Sequence, residues 1–157
     1  MKELKKETAE IILRNFTLAD VPILCRHAFP DQSPEQVAVW IAVWNAGQFQ
    51  GRYFEMFAVL ADGEIVGTIS LYQHTEDVIS IGPEIFVPYR RRGYGTAAMQ
   101  HACEIAKEKG YRIVSQQIRT GNTASISMHC ALGFETDSAV VINAKGNPVM
   151  IYRKNMI

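Results

Sequence analysis

The chain has 157 residues, of which 48% are hydrophobic and 20% charged, with 16 basic and 16 acidic side chains. This length predicts a single domain over residues 1–157. The balanced charge argues against a general attraction to nucleic acid or to a membrane surface, so a polyanionic ligand would need a local basic cluster. The one dense cluster in the sequence is Arg90-Arg91-Arg92.

The cysteines and the chain start indicate the compartment. Cys25, Cys103 and Cys130 are sparse and lack the spacing of a metal site, which favours a reducing environment and predicts no bound metal. Residues 1–10 are charged and lack the apolar segment of a secretory signal. No apolar run approaches the length of a membrane span. These features together predict a cytoplasmic protein.

The first half of the chain reads as one strand, two helices and three strands. Ser33 followed by Pro34 is a helix-start signal, and Asp62-Gly63 is a strong signal for a hairpin turn. The predicted elements are a strand at 11–16, helices at 17–29 and 33–47, and strands at 53–60, 64–73 and 78–87. The three strands would form an antiparallel meander.

The second half begins with a change to helical periodicity at Gly93. The predicted elements are an alanine-rich helix at 93–110, a strand at 112–118, a helix at 122–132 and strands at 134–142 and 149–156. Gly110 and Gly133 are fitting residues for the two helix ends. The element order predicts an α+β fold, with a mixed sheet and helices packed on its faces.

The segment 87–96 joins a predicted strand to a predicted helix and carries the arginine cluster. The first amides of a helix have no internal partners and point outward at the positive end of the helix dipole, where they bind phosphate oxygens readily. Gly93 and Gly95 remove side chains that would bar close approach, and the arginines add charge. The segment predicts a diphosphate cradle, although a Gly-x-Gly with arginines standing alone is equally typical of a solvated turn.

Two spaced motifs resemble the GNAT acetyltransferase superfamily. Arg90-Arg91-Arg92-Gly93-Tyr94-Gly95 fits that family's hallmark of Gln or Arg, two residues, Gly, one residue, Gly or Ala. Asn122-Thr123-Ala124-Ser125, followed by Leu132-Gly133-Phe134, is similar to its second block. The resemblance covers nearly the whole chain and implies a mostly antiparallel sheet of about seven strands with about four flanking helices, the fourth and fifth strands splayed apart.

The resemblance also implies an acyl-CoA-dependent N-acetyltransferase. Such an enzyme moves the acetyl group of acetyl-CoA directly to a primary amine on a small molecule, an amino acid or a protein N-terminus. The amides of residues 91–96 would hold the pyrophosphate, Phe86 and Val87 would pair with the pantetheine arm, and Asn122 would bind the arm or the acyl region with support from Ser125. The implied cofactor residues are Phe86, Val87, Arg90, Arg91, Arg92, Gly93, Tyr94, Gly95, Thr96, Asn122 and Ser125.

Proton transfer requires a base, because an amine acceptor is mostly protonated near neutral pH. Glu84 lies in an otherwise apolar stretch and is the favoured base, with the alternative that it pairs structurally with an arginine. His129 stands where many family members have the tyrosine that protonates the thiolate, or else is a helix-surface residue with no role. His74 is a further titratable residue near a turn. By resemblance, a backbone amide of the fourth strand would polarise the thioester carbonyl.

The acceptor site and the partners remain open at this stage. By resemblance, the first two helices, the loop after them and the last strands build the acceptor pocket, although the aromatic residues there are more simply interpreted as core. A GNAT-like module that senses acyl-CoA without turnover, or an unrelated nucleotide-binding protein, are the alternatives. An exposed last strand would allow two copies to pair as a homodimer.

Overall fold

The computed structural model describes residues 10–156. The prediction for the charged N-terminal segment falls mainly on residues 1–9, outside this range. The helices are α1 (Val21–His27), α2 (Pro34–Asn45), α3 (Tyr94–Glu108) and α4 (Thr123–Ala131). The strands are β1 (Ile12–Asn15), β2 (Gln48–Phe49), β3 (Arg52–Ala61), β4 (Glu64–Gln73), β5 (Val78–Ile85), β6 (Ile113–Arg119), β7 (Glu135–Ile142) and β8 (Pro148–Asn155).

The strands form one mixed sheet in the order β1-β3-β4-β5-β6-β8-β7, and the short β2 pairs with β3. Every neighbouring pair along this path is antiparallel except β5 and β6, which are parallel and pair at only two positions. The predicted mostly antiparallel sheet with a splayed strand pair is therefore confirmed. The prediction missed β2 because two residues are too short for a periodic pattern. No helix among residues 10–156 is long and apolar enough to cross a membrane.

Each face of the sheet carries its own core. On one face α3 buries its alanine-rich side, and small side chains at Ala98, Ala102 and Ala106 let this helix lie close to the strands. On the other face α1 and α2 enclose a second core that includes Trp44. Trp40 is partly buried, with its ring 4.9 Å from that of Phe29. These aromatic residues pack in the core, which supports the simpler of the two interpretations.

A clamp of charged residues ties β1 to the start of α1. Asp20 is buried and accepts two hydrogen bonds from the Arg14 guanidinium, at 2.7 and 3.0 Å, and one from the Thr17 amide at 2.8 Å. The hydrogen bonds from Arg14 are the main reason why the pKa of Asp20 lies below its ordinary value. The helix predicted from residue 17 begins as the 3-10 turn Leu18–Asp20, and α1 proper starts at Val21.

The prediction of an exposed last strand is wrong. The chain returns after β7, and β8 inserts between β6 and β7, so both of its neighbours are strands. The edge strand is β7, where Val140 and Ile142 are exposed. Position in the chain does not identify the edge, because the final hairpin places its second strand on the inside.

Gly67 on β4 lies where the backbone of β5 leaves no space for a side chain. It pairs with Ile85, and a methyl group at Gly67 would collide with the carbonyl oxygen of Glu84 and lie 2.9 Å from the Ile85 Cα. Since the obstacle is backbone, Gly67→Ala should lower the free energy of unfolding by about 2–3 kcal/mol in urea denaturation. Gly121→Ala is the matched control, because nothing lies within 4 Å of its added methyl group. Equal stability of the two variants would contradict this account.

Candidate active site

The loop between β5 and α3 holds the predicted phosphate-binding backbone. Gly93 is the N-cap of α3 in a left-handed conformation (φ 82°) and offers no side-chain acceptor. By contrast, Ser33 caps α2 and Asn122 caps α4 through hydrogen bonds to amides of the first turn. The amides that open α3 thus lack a capping side chain, which is the arrangement that suits an anionic ligand.

Two arginines of this loop contact their own chain. Arg90 Nε donates to the Ile85 carbonyl at 2.8 Å, and an Arg90 Nη atom lies 4.0 Å from a Glu84 carboxylate oxygen. The Arg92 guanidinium lies 5.9 Å from the centre of the Tyr89 ring. Arg91 has a positive φ of 67°, unusual for a residue with a side chain. The side-chain contacts of Arg90 and Arg92 therefore hold the loop in a conformation that includes the left-handed Arg91.

Beyond the pair Ile79 and Val114 the parallel strands β5 and β6 separate. The next backbone groups of β5 facing β6 belong to Ile81, and the side chain of Gln116 binds both of them. The Ile81 amide donates to Gln116 Oε1 at 2.9 Å, and Gln116 Nε2 donates to the Ile81 carbonyl. Gln116 Nε2 also lies 3.3 Å from His129 Nε2. A carboxamide thus replaces a backbone peptide group where the ladder stops.

The backbone groups of Phe86, which were expected to face the opening, make hydrogen bonds elsewhere. The Phe86 amide donates to the Val66 carbonyl, and the Phe86 carbonyl accepts from the Tyr89 amide, both at 2.9 Å. Both backbone groups of Phe86 are therefore occupied. By strand alternation the groups facing the opening are those of Pro83 and Ile85.

Val87, the second residue expected to pair with the arm, begins a 3-10 turn. Val87 as a whole is 72% exposed. Its carbonyl accepts a hydrogen bond from the Arg90 amide at 3.3 Å. Pro83 has no N–H, and the Ile81 amide is bound by Gln116. Of the three residues from Ile81 to Ile85 that face the opening, Ile85 is therefore the one whose amide can bind a ligand there.

Two cavities flank the opening and share the wall residues Pro83 and Ser125. One has a volume of about 460 Å³, lies beside the phosphate loop, and is called the cofactor-side cavity below. The other has a volume of about 730 Å³ and is called the acceptor-side cavity. Predicted residues that line the cofactor-side cavity are Glu84, Arg90, Arg91, Gly93, Tyr94, Gly95, Thr96, Asn122 and Ser125. The structure thus brings most of the predicted cofactor residues together.

Glu84 is an exposed residue of β5, with 69% of its side chain accessible. It lines the cofactor-side cavity beside Arg90, its neighbour at 4.0 Å. Alternation along the strand directs Glu84 to the same face as Ser80 and Gly82, which line the acceptor-side cavity. Both interpretations from the sequence, a base and a partner of an arginine, are compatible with this position.

His129 is buried, with 3% of its surface exposed, and does not lie on a helix surface. Its Nδ1 lies 2.7 Å from the Ser125 carbonyl, so the ring proton is assigned to Nδ1 and Nε2 accepts from Gln116. Burial lowers the pKa of His129 below the ordinary histidine value, and the hydrogen bond to Ser125 offsets part of this effect. The ring is thus neutral near pH 7, and both of its nitrogen atoms have partners.

The acceptor-side cavity is lined by a mixture of apolar and uncharged polar groups. Among the described residues that line it, none carries a carboxylate, an ammonium or a guanidinium group. His74 Nε2 lies 2.6 Å from the Ser80 hydroxyl, which donates to the Ser115 carbonyl at 2.6 Å. Because that donation uses the hydroxyl proton, Nε2 of His74 is assigned as a donor. Burial is the main reason why the pKa of His74 is lowered.

Sequence reasoning missed Gln116, Pro83 and Ile85 as site residues. No local signal marks them, because which backbone groups of a strand face an opening depends on the register with the neighbouring strand. In the described part of the chain, no group of three or more His, Cys, Asp or Glu residues is placed to hold a metal ion.

The splayed sheet, the helix start without a side-chain cap and the two adjoining cavities are the features with which the comparisons agree. The model of the Acetyltransferase (GNAT) family matches residues 16–134, and the chain belongs to this family. An uncharacterized N-acetyltransferase of Methanocaldococcus jannaschii is 42% identical over 59 residues, which are 36% of this chain and only 26% of that protein.

Solved structures show the same fold at low sequence identity. The acetyltransferase of Salmonella typhimurium that modifies the N-terminal serine of ribosomal protein L7/L12 is 16% identical, with a TM-score of 0.79 over 94% of this chain and 95% of that one. The protein yncA of Salmonella typhimurium, solved with its cofactor acetyl-CoA, is 13% identical, with a TM-score of 0.69 over 95% of both chains.

The buried neutral His129 predicts a specific pH dependence of stability. Since its folded pKa is depressed, the unfolded chain binds the proton more readily, and stability present above about pH 6.5 is lost as the pH falls. Thermal unfolding should therefore show a smaller loss of stability between about pH 7.5 and about pH 5.5 in His129→Gln than in the wild type. His74 is present in both proteins, so its contribution to the pH dependence cancels in the comparison. An identical loss in both would show that His129 is not the titrating group.

Proposed function

We propose that this protein transfers the acetyl group of acetyl-CoA to a primary amine through the opening between β5 and β6. The observation that carries the proposal is the pair of cavities that meet at Pro83 and Ser125. A donor on one side and an acceptor on the other could react there directly, without a covalent enzyme intermediate. The family match and the acetyl-CoA bound to the yncA relative support this reaction class.

The proposed cofactor site combines charge and backbone. The amides of residues 91–96 would bind the diphosphate at the uncapped start of α3. The pantetheine arm would lie along the open edge of β5, where the Ile85 amide and the Pro83 carbonyl face it. Asn122 uses its side-chain oxygen to cap α4 through the Ser125 amide. Asn122 and Ser125 would form the opposite wall, since both line this cavity.

The proposed chemistry needs few groups. Acetyl-CoA supplies a thioester already activated for acyl transfer. Glu84 would accept the proton of the attacking amine, directly or through water, as a C–N bond forms and the C–S bond breaks. The leaving thiolate would take its proton from solvent, because the single proton of His129 is directed to the Ser125 carbonyl. The Ile85 amide would position the arm beside the reacting carbonyl.

The acceptor-side cavity favours an acceptor with one amine on an otherwise neutral, polar body. A polyamine requires carboxylates, and none lines this cavity among the described residues. The Ser70 hydroxyl and the uncharged character of this cavity suit the backbone and neutral side chains of a short peptide. The neighbour that modifies an N-terminal serine supports the same class. A protein N-terminus is therefore the acceptor that we propose first.

The direct test is a screen of peptides with different N-terminal residues, small amines and polyamines against acetyl-CoA, with release of CoA thiol as the readout.

Glu84→Gln should lower kcat for the best acceptor about 100-fold, with little change in KM for acetyl-CoA, because a base acts in the transition state. Glu104→Gln, an equivalent change on the exposed side of α3, is the control. Unchanged kcat in Glu84→Gln would eliminate Glu84 as the base.

A second prediction isolates the phosphate site. A methyl group at Gly95 would make only ordinary contacts, the nearest at 3.6 Å, so the backbone there does not require a glycine. Gly95→Asp should weaken CoA binding in calorimetry about 100-fold, because the carboxylate repels the diphosphate and occupies its amides. The fold should be retained, as an acid suits a helix start. Gln100→Glu adds the same charge farther along α3 and should leave CoA affinity unchanged. Equal CoA affinities of the two variants would show that the diphosphate does not bind at the start of α3.

A further inference from the structure

We propose that Gln116 forms the inner end wall of the acyl cleft and thereby restricts the donor to short acyl groups. The proposal rests on the proposed function and specifies the donor for that site. Gln116 lies where the β5–β6 ladder stops, and it is 7% exposed. Its carboxamide occupies both backbone groups of Ile81 across the opening.

The carboxamide is held in one orientation from two sides. The Ile81 amide requires an acceptor, which assigns Gln116 Oε1, and Nε2 then faces the Ile81 carbonyl and His129 Nε2. His129 is in turn fixed through Nδ1 by the Ser125 carbonyl. Because Gln116 and His129 are both buried, rotating the carboxamide would leave buried polar groups without their hydrogen-bond partners. The wall is therefore rigid as well as polar.

The direction of the arm places this wall beyond its tip. A chain that enters beside Arg91 and Gly93 and follows the open edge of β5 passes Ile85 first and Pro83 next. The following gap-facing residue is Ile81, about 7 Å beyond Pro83 in an extended strand. The hydrogen bonds of Gln116 end the open edge there, so the arm has no further backbone to follow.

Acyl length decides whether this wall is reached. Each added methylene extends a chain by about 1.3 Å, so butyryl projects about 2.5 Å farther than acetyl. The extra carbons would have to displace the Gln116 carboxamide or turn into the acceptor-side cavity, which Pro83 and Ser125 border. Displacement would expose paired polar groups to an apolar chain. We therefore expect longer acyl groups to bind more weakly than acetyl.

Calorimetric titration of the full chain with CoA, acetyl-CoA, propionyl-CoA and butyryl-CoA tests the wall without an acceptor. The wild type should bind CoA and acetyl-CoA with similar affinity and butyryl-CoA about tenfold or more weakly. In Gln116→Ala the butyryl penalty should shrink to about threefold or less, while CoA affinity changes by less than about threefold. Gln100→Ala, the same change on an exposed face of α3, should retain the wild-type penalty.

The outcomes separate this inference from the proposed function. A wild type that does not bind CoA overturns the cofactor site itself and the wall with it. A wild type that binds CoA but accepts butyryl-CoA as well as acetyl-CoA overturns the wall alone. An undiminished penalty in Gln116→Ala also overturns it. If circular dichroism shows that Gln116→Ala is unfolded, Gln116→Asn, which retracts the same carboxamide by one methylene, is judged by the same criterion.

Discussion

The separation of β5 from β6 is the constraint on which the site depends. Buried peptide groups must find hydrogen-bond partners, so two strands can part inside a protein only if something else pairs with their inner edges. Here side chains do this. Gln116 binds Ile81, the Ser80 hydroxyl binds the Ser115 carbonyl, and Arg90 binds the Ile85 carbonyl. Most of the opening is therefore already paired, and the stretch around Pro83 is left for a ligand.

The helix that faces this opening is stabilised in a way that leaves its first turn unpaired. A glycine in place of a capping side chain costs roughly a few tenths of a kcal/mol, and the left-handed Arg91 costs about 1 kcal/mol. The buried alanine face of α3 offsets both, since Ala98, Ala102 and Ala106 are fully covered by the sheet. The buried contacts that stabilise α3 thus lie in the middle of the helix, and the amides without a side-chain cap lie at its start.

Residues of the short helix α4 line both cavities. Its first turn carries Asn122 and Ser125 into the cofactor-side cavity, and its later His129 contacts Gln116 at the inner end of the opening. The Ser125 carbonyl and the His129 ring are joined at 2.7 Å. The same helix therefore contributes to the wall of the cofactor-side cavity and to the contacts that hold the Gln116 carboxamide.

Local sequence patterns were enough to predict the order of the elements apart from β2 and the family, and they also predict the phosphate loop. These depend on short-range patterns: Gly93 and Gly95 after the arginines, Asp62-Gly63 between two strands, and Asn122 before a short helix. Three features become visible only in the folded chain: Ile85, and not Phe86, faces the opening, β8 is an inner strand, and Gln116 pairs with His129. Strand register and hairpin return are set by contacts between distant segments, which no local pattern encodes. A glutamine becomes a substitute for a peptide group only when the strand beside it has moved away.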